Sequence, residues 1–99
     1  MLVLHARMEL DPDRRDEARG IIADLAADSR TEAGVIDYRV GEDVEEPGVL
    51  HFLERYEDHD ALEAHQQTDH YQAFDEHRDE LLAGAADVTI YEVADAKTL

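Results

Sequence analysis

Two strand-helix-strand units arranged around a central hairpin make this chain an α+β protein of the ferredoxin-like βαββαβ class, with a four-stranded antiparallel sheet and its helices on one face. Three observations predict it. The chain opens on a period-two alternation, an apolar stripe of helical spacing follows, and two strand-like runs are joined by an acidic turn.

Across residues 1–10, Leu2, Leu4, Ala6, Met8 and Leu10 share one face while Val3, His5, Arg7 and Glu9 share the other, which is the period of a strand. Asp11-Pro12 then reads as a helix start, a carboxylate N-cap followed by proline at the first helical position. Ala18, Ile21, Ile22, Leu25 and Ala26 form one apolar stripe, and Gly34 ends the segment. A second strand is predicted over 35–40 and a third over 49–56, joined by the acidic turn 41–48.

Asp58 or Asp60 can cap a second helical region carrying Ala61, Leu62 and His65. The region is expected to break near Thr68-Asp69 and to resume through Tyr71, Phe74, Leu81 and Leu82, with Gly84 near its end. Residues 88–93 form the fourth strand. One domain thus spans 1–94, with a short tail at 95–99. Strand three is apolar on both sides, with Leu50, Phe52 and Tyr56 on one and Val49 and Leu53 on the other. A second copy of the chain, packed sheet against sheet, covers the spare face most simply.

Composition narrows the partners. With 26 Asp and Glu against nine Lys and Arg, of which only Lys97 is lysine, the formal charge is −17. Such a field repels nucleic-acid phosphate and anionic membrane, so neither is an expected partner. Disorder is the other reading of so acidic a chain, but 43% hydrophobic residues in regular periods argue for a folded protein whose acidic surface suits concentrated salt. No cysteine is present, which removes thiolate chemistry and fits a reducing compartment. No signal-peptide pattern and no long apolar run occur, so a cytoplasmic location is expected.

Six histidines invite a metal reading, yet His65 and His70 are five apart rather than three or four, and no HExxH occurs, so no metal is expected. Glu54 is more unusual. It alternates with Phe52 and Tyr56 and so points into an interior, where a carboxylate needs a partner: a backbone group, a tyrosine, an arginine across a dimer, or a histidine such as His65. A neutral imidazole at that place takes a proton from an acidic phenol or enol, and a carboxylate beside it orients the ring.

The runs Glu54-Arg55-Tyr56-Glu57, Ala61-Leu62-Glu63-Ala64-His65 and Gln67-Thr68-Asp69-His70-Tyr71 with Phe74, preceded by Glu32-Ala33-Gly34 and Tyr38, resemble the antibiotic biosynthesis monooxygenase domain family, including its quinol monooxygenases. The resemblance covers nearly the whole chain, and 54–74 is its specific part. It implies a homodimer of the dimeric α+β barrel type, with a pocket between helices and sheet in each subunit. It implies oxidation of a small phenolic or quinol-like aromatic molecule by dioxygen with no metal or flavin cofactor. His65 would be the base and Glu54 its orienter, with Tyr38, Tyr56, His70, Tyr71 and Phe74 as substrate-binding walls.

The same resemblance admits a non-catalytic small-molecule-binding or stress-response module, or a non-oxidative isomerase. Haem degraders of similar fold use an Asn, a Trp and an axial His. The positions matched to these, Ala6, His65 and Asp75, do not carry them, although His77 is nearby.

The salt reading is directly testable. The midpoint of thermal unfolding is expected to fall when KCl is lowered from molar to millimolar, and an unchanged midpoint overturns it.

Overall fold

In the computed structural model, which describes residues 1–99, the opening alternation is strand β1 (Leu2–Glu9) and the apolar stripe is helix α1 (Arg15–Ser29). Strands β2 (Val35–Glu42) and β3 (Val49–Tyr56) form the hairpin, helices α2 (His59–Gln66) and α3 (Asp69–Leu81) follow, and β4 (Asp87–Glu92) closes the fold. The sheet order is β2-β3-β1-β4, with every neighbouring pair antiparallel. This is the ferredoxin-like α+β arrangement, each βαβ unit bracketing a strand of the other. No helix is long and apolar enough to cross a membrane.

The β1–β3 register places Leu2 opposite Tyr56, Leu4 opposite Glu54, Ala6 opposite Phe52 and Met8 opposite Leu50. These pairs form the sheet's helix-facing side, and α1 buries Ala18, Ile22, Leu25 and Ala26 in the same core. On the opposite side the ladder pairs Val3 with Arg55, His5 with Leu53 and Arg7 with His51, so each apolar residue there faces a polar one. The face expected to be apolar is therefore mixed. It leaves Leu53 48% and Tyr91 53% exposed, while Val49 is buried. His5 Nε2 and His51 Nδ1 sit 3.0 Å apart on it, and His51 Nε2 meets Asp43 at 2.8 Å.

Helix α1 begins three residues later than the Asp11-Pro12 pattern predicts. Asp11 Oδ1 accepts from the Asp13 amide at 2.9 Å and the Asp11 carbonyl accepts from the Arg14 amide at 2.9 Å, so Asp11–Arg14 is a turn closed by its own aspartate. The chain is pinned before that turn, since Leu10 donates to the Gly48 carbonyl and Asp11 to the Leu81 carbonyl. Strand β2 also runs two residues past its predicted end. The loop after it finishes at Gly48 with φ +84°, a left-handed conformation suited to glycine.

Asp58 is the cap of α2, its carboxylate accepting from the Ala61 amide at 2.8 Å. The expected helix break is real and one side chain builds it. Thr68 Oγ1 donates to the His65 carbonyl at 2.7 Å, ending α2, and accepts from the Tyr71 amide at 3.2 Å, starting α3.

The loop between α1 and β2 is pressed onto α2 at Gly34. A Cβ built there would stand 2.5 Å from Ala61 Cβ. Gly34→Ala is therefore expected to destabilise the fold by about 1–3 kcal/mol, as overpacking does. Combining it with Ala61→Gly should recover part of the loss in a denaturant melt, and a neutral Gly34→Ala would contradict the packing described.

Candidate active site

The α1–β2 loop held down by Gly34 carries Glu32, and one oxygen of that carboxylate organises the region. Glu32 Oε2 is 2.8 Å from His65 Nδ1 on α2 and 2.7 Å from His70 Nε2 on α3. A carboxylate only accepts, so both ring nitrogens are donors and both tautomers follow. In the neutral imidazole the Nε2 atom of His65 then carries a free lone pair, and it has no hydrogen-bond partner in the protein. His65 is 1% exposed, whereas His70 reaches partly into solvent.

Around His65 stand three phenols, with ring centroids 5.4 Å away for Tyr38, 5.6 Å for Tyr56 and 5.2 Å for Tyr71. They come from β2, β3 and α3 respectively. Next to them is a cavity of about 190 Å³ between the helices and the sheet. Tyr38, Phe52, Glu54, His65, Tyr71 and Phe74 line it, and Val88 and Ile90 of β4 stand at its open side. These two are half-exposed on β4, the edge strand of the sheet.

Glu54 is 5% exposed and accepts from the Tyr56 hydroxyl at 2.5 Å. Burial pushes its carboxyl up to about 7, because desolvation outweighs the hydrogen bonds of Tyr56 and Tyr38 and the attraction of Arg78, all of which favour the charged form. Near neutral pH the site therefore holds a carboxyl poised between its two states. Burial, and then the neighbouring Glu54 charge, push Tyr38 and Tyr56 above the ordinary phenol range, so both remain neutral donors. Arg78 also lines the cavity. Its guanidinium sits 5.5 Å from the centre of the Phe74 ring, and its Nε is buried without a hydrogen-bond partner.

Of the residues singled out from sequence, the fold brings Tyr38, Glu54, His65, Tyr71 and Phe74 to one cavity. Tyr56 stands behind the wall and reaches the site through Glu54, and His70 stands outside and reaches it through Glu32. The pairing differs from the expected one in a single respect: the carboxylate on His65 is that of Glu32, whereas Glu54 is held by phenols. Sequence reasoning did not assign Glu32 a role. Its signal there is the Glu32-Ala33-Gly34 run that shares in the family resemblance, an acid two residues before the glycine that ends the first helical segment.

The depression of about 360 Å³ between α1 and β2 shows no comparable convergence. Its Arg19 and Arg39 are already paired with Glu42 and Asp37.

Comparison with known proteins agrees with this architecture. The profile of the antibiotic biosynthesis monooxygenase family matches residues 1–77. YcnE of Bacillus subtilis, named as a candidate monooxygenase, is 33% identical over 95 residues, covering 96% of this chain and all of that protein. The uncharacterized protein sll1783 of Synechocystis is 32% identical over 98 residues, 99% of this chain and 67% of that one. Among solved structures, Rv0793 of Mycobacterium tuberculosis superposes with a TM-score of 0.91 at 28% identity, covering 98% of both chains.

The state of Glu54 has a measurable sign. Between its ordinary value of 4.5 and about 7, the folded chain keeps a proton that the unfolded chain has lost. Its contribution to stability is complete below the lower value and is lost as pH rises through the upper one. The stability of wild type relative to Glu54→Gln is therefore expected to decline across this window in paired denaturant melts. A pH-independent difference would mean that the carboxyl titrates normally.

Proposed function

Because this chain belongs to the antibiotic biosynthesis monooxygenase family, we propose that it is a cofactor-independent monooxygenase of a small phenolic or quinol-like aromatic compound, with His65 as the base. The observation that carries the reading is the buried imidazole whose Nδ1 is held by Glu32 and whose Nε2 is left for a substrate hydroxyl. Removing the phenolic proton makes an electron-rich anion that reacts with dioxygen directly. One oxygen atom enters the ring and the other leaves as water, the substrate itself supplying the electrons, as when a hydroquinone becomes a hydroxyquinone. The protein's task is to bind, deprotonate and stabilise.

Each wall has a part in that task. Phe74 and Phe52 offer apolar surface to an aromatic ring, and Tyr38 and Tyr71 flank the imidazole. Glu54, carrying its proton part of the time, exchanges hydrogen bonds with substrate oxygens without adding a full negative charge beside the developing anion. Arg78, with an unused N–H in the cavity wall, offers positive charge to that anion. Glu32 keeps the imidazole in the tautomer that accepts a proton at Nε2 and stabilises the imidazolium that results.

The active form in this reading is a homodimer that covers Leu53 and Tyr91 with a second copy of the same sheet face. The register there supports polar contacts among the apolar ones, from His5, Arg7, His51 and Arg55.

Oxygen uptake with a panel of hydroquinones tests the chemistry. His65→Ala is expected to lower the rate by about 10²–10⁴-fold, the usual worth of a positioned base. Glu32→Gln should cost less, because the base remains and only its orientation suffers. Uptake that never exceeds the spontaneous rate, or equal rates in all variants, rejects the proposal; ligand binding without uptake would make the chain a binding module.

A further inference from the structure

We propose that Glu32, His65 and His70 also form a divalent transition-metal site, and that a zinc-class ion bound there switches off the base. The three candidate ligand atoms, one from each residue, lie within 4.8 Å of one another. They come from a loop and two helices, so the cluster is assembled by the fold and is not an accident of neighbouring surface acids. Two imidazoles and one carboxylate suit Zn2+ and related ions, and discriminate against Mg2+, which prefers oxygen ligands.

The present spacing is that of the proton-held state, in which Glu32 Oε2 binds both imidazole N–H groups at 2.8 and 2.7 Å. A tetrahedral Zn2+ with ligands at about 2.1 Å would space them roughly 3.4 Å apart, so the Glu32 oxygen must draw away from the buried His65, and His70 from that oxygen, by about 0.6–0.7 Å. His70 can do so because it is partly exposed, and on that side an ion can approach and keep water in its fourth position. Both protons must leave before the ion binds, which makes the proton-held and metal-held states mutually exclusive.

The consequence for His65 is chemical. With Nδ1 on a metal, a neutral imidazole carries its proton on Nε2, the atom that otherwise accepts the substrate proton. The ring then donates where it should accept, and deprotonation stops. This inhibitory effect rests on the reading of His65 as the base. The binding itself does not.

Calorimetry with ZnCl2 on EDTA-treated, dialysed full-length chain tests it, in molar KCl with excess MgCl2 to occupy surface carboxylates. One Zn2+ per chain is expected. His70→Ala, and His70→Asn as a second variant in case the first misfolds, should weaken binding by at least about tenfold, a loss that even outer-shell partners of a metal site can produce. His59→Ala, at the exposed start of α2 and outside the cluster, should bind as wild type does. Nitrogen NMR of the imidazoles should show the His65 proton move from Nδ1 to Nε2 when Zn2+ is added, and any oxygen uptake should stop and return with EDTA.

Binding no tighter than the carboxylate background, or unchanged in both folded His70 variants, overturns the site. Saturable binding with uptake unaffected overturns the switch. A chain that binds Zn2+ but never consumes oxygen keeps the site and rejects the function proposed above, so the two failures are told apart.

Discussion

One oxygen of Glu32 holds the site together. It accepts from imidazoles on two helices while itself standing on a loop, so three segments distant in sequence are tied at a single atom. Remove it and two buried or half-buried rings lose their partner, and His65 loses the constraint on its tautomer. Two packing features make the bond possible. Gly34 lets the loop approach α2 as far as the Ala61 methyl allows, and Thr68 ends one helix and begins the next so that His70 swings back toward His65. Neither feature touches the cavity, yet both set the position of the imidazole that does.

The electrostatics of this molecule run in opposite directions inside and out. Outside, 26 acids outnumber nine bases, and pairs such as Arg7 with Glu46 and Arg19 with Glu42 are exposed enough to contribute little individually. Inside, a single carboxyl surrounded by phenols is pushed toward neutrality by loss of water. The same residue type thus stays charged where water reaches it and is drawn toward its neutral form where water does not. Burial decides which, since desolvation penalises only the charged form.

Much of the architecture was legible because it is written in periods. The alternation of β1, the stripe of α1, both strands of the hairpin and the break at Thr68 all follow from residue spacing and capping chemistry, which act locally. Glu54 was legible as an inward carboxylate for the same reason: strand alternation says which way a side chain points. The start of α1 was not, because Asp11 could cap a helix or close a turn on itself. The pinned backbone at Leu10 and Asp11 favours the turn.

The sequence alone determined the four strands and the broken second helix, which depend on near neighbours and on an unmistakable hydrophobic period; alternation turned Glu54 inward, and the family resemblance of their motifs singled out Tyr38, His65, Tyr71 and Phe74. Only the tertiary structure decided the partners. Five residues along an unbroken helix would turn His65 and His70 away from each other; across a break they converge, and no local rule gives the angle between two helices. Glu32 is one acid among 26, and what distinguishes it is the loop geometry that brings it within 2.8 Å of a buried ring. Side-chain pairing between distant segments depends on how whole elements pack, and packing is a property of the complete core.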